Sequence, residues 1–321
     1  MKNVAQRAYF GKALADLGGK DAEIVVLDAD LGSSTKTSDF AKSYPERFFQ
    51  CGIAEQNMIG TAAGLAVSGK KVFASTFAVF ATGRCWDQIR QSVAYPDLNV
   101  KIVATHCGIS VGGDGASHQA LEDVSLMRSL PNMTVICPAD ANEAYKATMA
   151  MAEHDGPCYM RMGRADFPVI TGEEDVFIIG KATVLKKGKD VTLVGSGQMV
   201  SVCLEAAEML KEDGVSAEVI NMSTVKPLDA DTLLESADRT RCVVTAEEHS
   251  IIGGLGSAVA ECLSENDNQP LSRVGVRDSF GESGEPEELM IKYGLTKEDI
   301  VFAARKVIDR KRKKKGFLWR K

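Results

Sequence analysis

The stretch EIVVLDADLGSSTKTSDFAKSYPERFFQCGIAEQNMIGTAAGLAVSGKKVFAST, residues 23–76, decides the fold. It begins with an apolar run that ends in acids, EIVVLDAD (23–30), and passes to a second run, RFFQCG (47–52). Helical spacing follows in AEQNMIGTAAGLAVS (54–68), and then a third run, KVFAST (71–76). Short apolar runs separated by helices mark parallel strands buried on both faces. The same alternation continues through VKIVATH (100–106), MTVICPA (133–139) and the helical ANEAYKATMAMAEH (141–154).

The pattern pauses at DFPVITGEEDVF (166–177), where Pro168, Gly172 and a cluster of acids read as a linker. A second α/β series starts at DVTLVGSG (190–197). It continues through a helix at 199–213, then SAEVINM (216–222), TRCVVTAEEH (240–249), a helix after GGLG (253–256), and LSRVGV (271–276). The expectation is an α/β chain of two domains, each a mostly parallel sheet flanked by helices. The first domain covers 1–170, a linker 171–185, the second domain 186–310, and a basic tail 311–321. Sheets of this kind place ligands beyond the carboxyl ends of their strands.

The 321 residues suit two domains, and 45% hydrophobic content is enough for ordinary cores. A net charge of −6 gives no reason to expect nucleic acid as a partner. No run of about 18 apolar residues exists, so no membrane span is expected. MKNVAQRAYFGKALADL at the start reads as an amphipathic helix rather than a signal peptide. The 8 cysteines include no Cys-x-x-Cys pair, which points to structural thiols in a reducing cytoplasm. The 4 histidines are too scattered for a metal motif.

Six motifs stand in order along the chain: Arg7, DADLGSS (28–34), GIAEQNM (52–58), STFAVF (75–80), THCGISVGGDGASHQALED (105–123) and MRMGR (160–164). Together they resemble the C-terminal portion of transketolases, and the resemblance extends over about the whole chain. It implies a pyrimidine-binding domain followed by a transketolase C-terminal domain. The cofactor it implies is thiamine diphosphate, with a divalent metal, magnesium or calcium, held by another chain. Full-length transketolases carry a Gly-Asp-Gly…Asn motif for the diphosphate and metal in an N-terminal domain, and this chain starts after it. Gly113-Asp114-Gly115 followed by Asn142 imitates that motif. Asn142, however, reads as a helix N-cap, and the surrounding residues match the family's substrate loop.

The resemblance assigns Glu55 as the acid that hydrogen-bonds and activates the cofactor's aminopyrimidine; the cofactor carries the carbanion chemistry. A surface acid at a helix N-terminus is the plainer reading of Glu55. Phe77 and Phe80, in a loop-like segment after KVFAST, would wall the flat ring, or be core phenylalanines. Asp30 and Leu31 would lie against the cofactor, with a turn aspartate as the alternative for Asp30. His118 would face the thiazolium and the sugar hydroxyls and relay protons. Asp114 would bind a hydroxyl of the donor or acceptor, or serve only as a turn residue. Arg7, Ser34, His106 and Arg164 match the family's phosphate-binding positions, which suits the planar donors of arginine. Gly60 and Gly64, on one face of a helix, would allow close contact with another subunit or within the domain.

In the second series, Gly195 and Gly197 read as a tight turn, because Val200 stands where a dinucleotide fingerprint needs glycine. Glu247, Glu248 and His249 look catalytic, but the resemblance makes this domain a packing and assembly element. The tail from 310 reads as a solvated face.

The expectation is the C-terminal subunit of a split transketolase, moving a two-carbon ketol unit from a ketose phosphate to an aldose phosphate. It would act with an N-terminal subunit in an α2β2 heterotetramer. Three alternatives remain open: a 2-oxo acid dehydrogenase β subunit, a transketolase for an unusual sugar phosphate or sulfosugar, and a module that has lost catalysis. The phosphate set argues against the first of these, and the intact motif against the last.

Overall fold

Each continuous apolar run becomes a strand. The computed structural model describes residues 2–266 and 268–318, with side chains as far as Arg312. In chain order the strands are β1 (Asn3–Ala5), β2 (Ile24–Asp28), β3 (Phe48–Gln50), β4 (Lys71–Phe77), β5 (Val100–Thr105), β6 (Thr134–Ile136), β7 (Cys158–Arg161), β8 (Asp166–Pro168), β9 (Thr183–Lys186), β10 (Val191–Gly195), β11 (Ala217–Asn221), β12 (Thr224–Lys226), β13 (Val243–Ser250) and β14 (Leu271–Val276). Among the described residues they form three sheets. The largest runs β12-β6-β7-β5-β4-β2-β3, parallel except for β12. The second runs β14-β13-β10-β11-β9, parallel except for β9. β1 and β8 form a small antiparallel pair.

The parallel strands β2 and β5 are buried at every position, as a sheet covered on both faces requires. On one face, helix Gln6–Lys20 packs on helix Ala141–Glu153, with Phe10, Leu14 and Leu17 against Ala144, Ala147 and Met151. On the other lies helix Glu55–Val67. A third core, built on Leu193, Val219, Val244 and Val276, lies beneath helices Met199–Glu212 and Lys297–Leu318.

Four expectations need correction. The segment 171–185 is not wholly linker, because β9 begins at Thr183 and pairs with β11. β12, far along the chain, crosses back to edge the first sheet beside β6, so the two α/β series share a strand. Asn142 is not the N-cap of its helix: Asp140 is, accepting from Glu143 N at 2.9 Å, while Asn142 Nδ2 donates to Thr171 O. The stretch after 310 continues a helix, and Lys311 Nζ donates to Asp190 O and Thr240 O instead of standing in solvent. The rest of the basic tail's side chains lie outside the described residues.

Gly195 and Gly197 do form a strand-to-helix turn, with Gly197 at φ +57°. All eight cysteines are free. Among the described residues no helix is long and apolar enough to cross a membrane, and no three His, Cys, Asp or Glu side chains cluster as metal ligands.

Candidate active site

The candidate residues collect at the carboxyl ends of β2, β3, β4, β5 and β7, the edge of a parallel sheet where ligands bind. After β3, Gly52 turns the chain at φ +68° and helix Glu55–Val67 starts. Its buried residues are Glu55, Met58, Ile59, Ala62 and Ala63. This i, i+3, i+4, i+7 spacing is an apolar stripe with a carboxylate as its first member. The helix geometry therefore turns Glu55 inward, where it is only 2% exposed. A buried carboxylate needs a partner, and Arg84 Nη1 lies 2.8 Å from Glu55 Oε2. The same guanidinium lies over the Phe80 ring, 4.6 Å from its centroid.

Phe77 ends strand β4 and Phe80 opens a π-helical turn, so neither sits in the expected loop. Their ring centroids are 6.1 Å apart and nearly parallel. The His106 ring stacks on Phe77 at 3.8 Å, and the His118 ring meets Phe80 edge-on at 5.2 Å. Four rings from three segments thus make one aromatic shelf beside Glu55.

On its far side the shelf turns cationic. His106 has φ +58°, and its Nδ1 lies 2.9 Å from Thr105 Oγ1. Burial first, then the charges of Arg7 and Arg164, push its pKa down to about 3, so its imidazole is neutral across the ordinary pH range. Arg7 Nη1 donates to Ser34 O at 3.0 Å. Burial and the charge of Arg164 depress the Arg7 pKa, and its buried Nε lacks a hydrogen-bond partner among the described residues. Arg164 Nη1 donates to Val111 O at 2.7 Å. Two neighbouring guanidiniums that repel each other, with a donor left over, favour a bound anion.

Asp30 is exposed at φ +64°, with its N–H donating to Gln50 Oε1, which also accepts from Gly52 N. Leu31 N donates to Asp28 Oδ1, and the other Asp28 oxygen holds Thr35 and Thr37. Asp114 stands exposed at the end of a 3-10 turn, between Gly113 and Gly115. Arg84 and Gln50 were missed in the sequence. Neither lies in a pattern that announces its partner, and each has a contact 20 or more residues away.

On helix Glu55–Val67, the face opposite Glu55 is bare. Gly60, Thr61 and Gly64 are exposed, Val67 is 73% exposed, and a Cβ placed on either glycine would meet nothing within 4 Å. Intradomain packing therefore does not account for these glycines.

Residues 2–169 match the family model described as the transketolase pyrimidine binding domain, and residues 180–300 the transketolase C-terminal domain. The chain belongs to the transketolase family. A relative from Methanocaldococcus jannaschii, provisionally named a transketolase C-terminal section, is 51% identical over 96% of both chains. The 6-deoxy-6-sulfo-D-fructose transketolase subunit of a Clostridium species is 48% identical over 93% of this chain and 92% of that one. A solved structure described as "Split gene transketolase, inactive beta4 tetramer" superposes with a TM-score of 0.90 at 56% identity, covering 95% of this chain and 99% of the other. Membership of the family implies thiamine diphosphate and a divalent metal.

Proposed function

We propose that this chain is the pyrimidine-side subunit of a split transketolase. With a separate N-terminal subunit it moves a two-carbon ketol unit from a ketose phosphate to an aldose phosphate. The observation that carries this reading is the arrangement around Arg84. Its planar guanidinium donates to buried Glu55 while lying over the Phe80 ring. Those are the two contacts that an aminopyrimidine ring needs, a carboxyl partner and an aromatic wall. Side-chain exposure of 46% leaves Arg84 free to swing aside for the ring.

When bound, thiamine diphosphate supplies the carbanion chemistry of ketol transfer. Glu55 polarises the pyrimidine, with Phe77 and Phe80 as its wall and Asp30 and Leu31 at the rim. His118 faces the reacting carbons and holds or releases a proton at its imidazole, and Asp114 accepts a sugar hydroxyl. Arg7, Arg164, Ser34 and neutral His106 grip the distal anion, and this remote binding energy orients the substrate. The N-terminal subunit holds the diphosphate and the magnesium or calcium ion. It docks on the bare face around Gly60 and Gly64, giving an α2β2 assembly.

The 48% identity to a sulfofructose transketolase subunit favours a variant of this reading. A sulfonate is an anion that the same arginines can grip, so a sulfosugar substrate fits the site as well as a phosphate does.

The test is reconstitution. The purified chain with cofactor and sugar phosphates should be inactive, and the chain with its N-terminal partner active. In that complex Glu55→Ala should reduce turnover on the order of 10²–10⁴-fold. Turnover within about tenfold of wild type would remove Glu55 from its role.

A further inference from the structure

The loop 108–118 carries Asp114 and His118, yet part of its hold comes from outside its own sheet. Its first anchor comes from β13. Glu248, 3% exposed, accepts the N–H of Ser110 on Oε1 at 2.6 Å. Its other oxygen takes a hydrogen bond from Gln198 Nε2. Its backbone oxygen accepts from Arg161 Nη2 at 3.0 Å, which ties the strand to the first sheet. The loop runs directly over this carboxylate. A Cβ on Gly108, at φ +75°, would lie 2.3 Å from Glu248, so only glycine fits there.

Further anchors follow at close intervals. Arg164 holds Val111 O, and Ser283 Oγ donates to Gly113 O at 2.7 Å. Gln119 Nε2 donates to Glu282 O at 2.9 Å. A Cβ on Gly112 would meet Pro286 at 3.1 Å. Ties within its own domain, such as Gly108 N to Ala120 O at 3.0 Å and Gln119 Nε2 to Ile109 O at 3.2 Å, are thus joined by a second set from residues after 247, while the open side of the loop presents Asp114, and His118 reaches the Phe80 ring. Without these anchors, a loop with glycines at 108, 112, 113 and 115 would spread over many conformations. Binding would then be weakened by the fraction of time the loop is misplaced.

We propose that Glu248, assisted by Ser283, is a positioning residue that makes the C-terminal sheet part of the substrate site by fixing the loop 108–118. The kinetic part of this inference rests on the ketol-transfer reading, and the part about loop order does not.

The experiment uses the full chain, alone and in the reconstituted complex. In Glu248→Ala, amide hydrogen exchange across 108–118 should quicken by about tenfold or more, while β5 and β10 keep their protection. In the complex, the KM for the ketose phosphate should rise about tenfold with a smaller change in kcat. Thiamine diphosphate affinity should stay within about twofold. Glu248→Gln keeps an oxygen for the Ser110 N–H and should restore both exchange and KM to within about threefold of wild type. Ser283→Ala, at an exposed position, should loosen 113–118 alone. If Glu248→Ala unfolds the chain, Ser283→Ala decides the matter, and unchanged exchange at 113–118 overturns the proposal. Wild-type protection in Glu248→Ala also overturns it, as does a Gln variant as impaired as the Ala variant. A wild-type complex that transfers no ketol unit, while the variants loosen the loop as described, overturns the ketol-transfer reading and leaves the positioning role standing.

Discussion

Arg161 and Arg164 are three residues apart and live in opposite surroundings. Arg161 is 7% exposed; its Nε donates to Asp123 Oδ2 at 2.8 Å, and Tyr159 donates to the same oxygen. Glu247, Glu248 and His249 complete this buried group where the two sheets meet. Arg164 is exposed, and its positive charge acts on that of Arg7. The buried group balances its charges internally and stabilises the join. The open group leaves the buried Arg7 Nε without a partner among the described residues, and its proposed role as an anion site rests on that. Burial and perturbed ionisation alone do not mark an active site; what distinguishes the open group is that Arg7 feels a second guanidinium more strongly than its one acidic neighbour, Asp166.

The same substitution at both arginines tests that contrast most strongly. Arg161→Met leaves Asp123 as an unpaired buried charge and should destabilise the chain by about 3–5 kcal/mol in urea unfolding. Arg164→Met should change stability by no more than about 0.5 kcal/mol. It should instead raise the KM for sugar phosphates in the reconstituted complex. Equal stability losses would erase the distinction between the two regions.

The pH dependence of stability separates them next. Burial pushes Glu247 and Glu248 up to about 7 from 4.5, with Arg161 and Asp123 among the charges facing them. The folded chain then holds protons that the unfolded chain releases, so this contribution is complete below about pH 4.5 and is lost as pH rises through 7. His106, pushed down to about 3, and His249, pushed down to about 4, act oppositely. Their contribution is present above 6.5 and is lost as pH falls toward those values. Above 6.5 only the glutamates titrate among these four groups in the folded chain, and the unfolded histidines finish titrating by about 7.5. The urea midpoint should therefore fall between pH 6.5 and 8, and Glu248→Gln should flatten that slope. A slope that persists unchanged in Glu248→Gln would assign it to other groups.

The smallest effect is expected on the bare helix face. Gly60→Ala and Gly64→Ala meet no neighbouring atom. Each should stabilise the isolated chain by about 0.5–1 kcal/mol through helix propensity. Both should weaken association with the N-terminal subunit, measured by sedimentation. Unweakened association would move the docking face elsewhere.

Much of the fold was legible because strands buried on both faces must be apolar throughout, as IVVLD and VKIVAT nearly are. The three-residue strands Asn3–Ala5, Asp166–Pro168 and Thr224–Lys226 were not legible, since partners distant in the chain decide their pairing. The cap of helix Ala141–Glu153 illustrates the limit. Asp140 and Asn142 are equally good caps by type. Asp140 takes the role because its carboxylate also accepts from Ile170 N and Thr171 N, about thirty residues away. In the candidate site, Glu55 and the aromatic pair could be nominated from their motifs, though the strand and π-helical turn that carry the pair could not. The Arg84 contact and the Glu248 anchor could not, because each joins segments that no local pattern links.

The glycines of the loop 108–118 also determine where this sequence is free to drift. Gly108 is closed by Glu248, Gly112 by Pro286, and Gly115 by Ser283. Ile109, Ser110 and Val111 are sealed in the interior. The exposed positions are 113, 114, 116 and 117. Substitutions that leave the loop's frame intact are therefore confined to Gly113, Asp114, Ala116 and Ser117. A library randomised at those four codons would sample most of the loop's heritable variety without disturbing its frame.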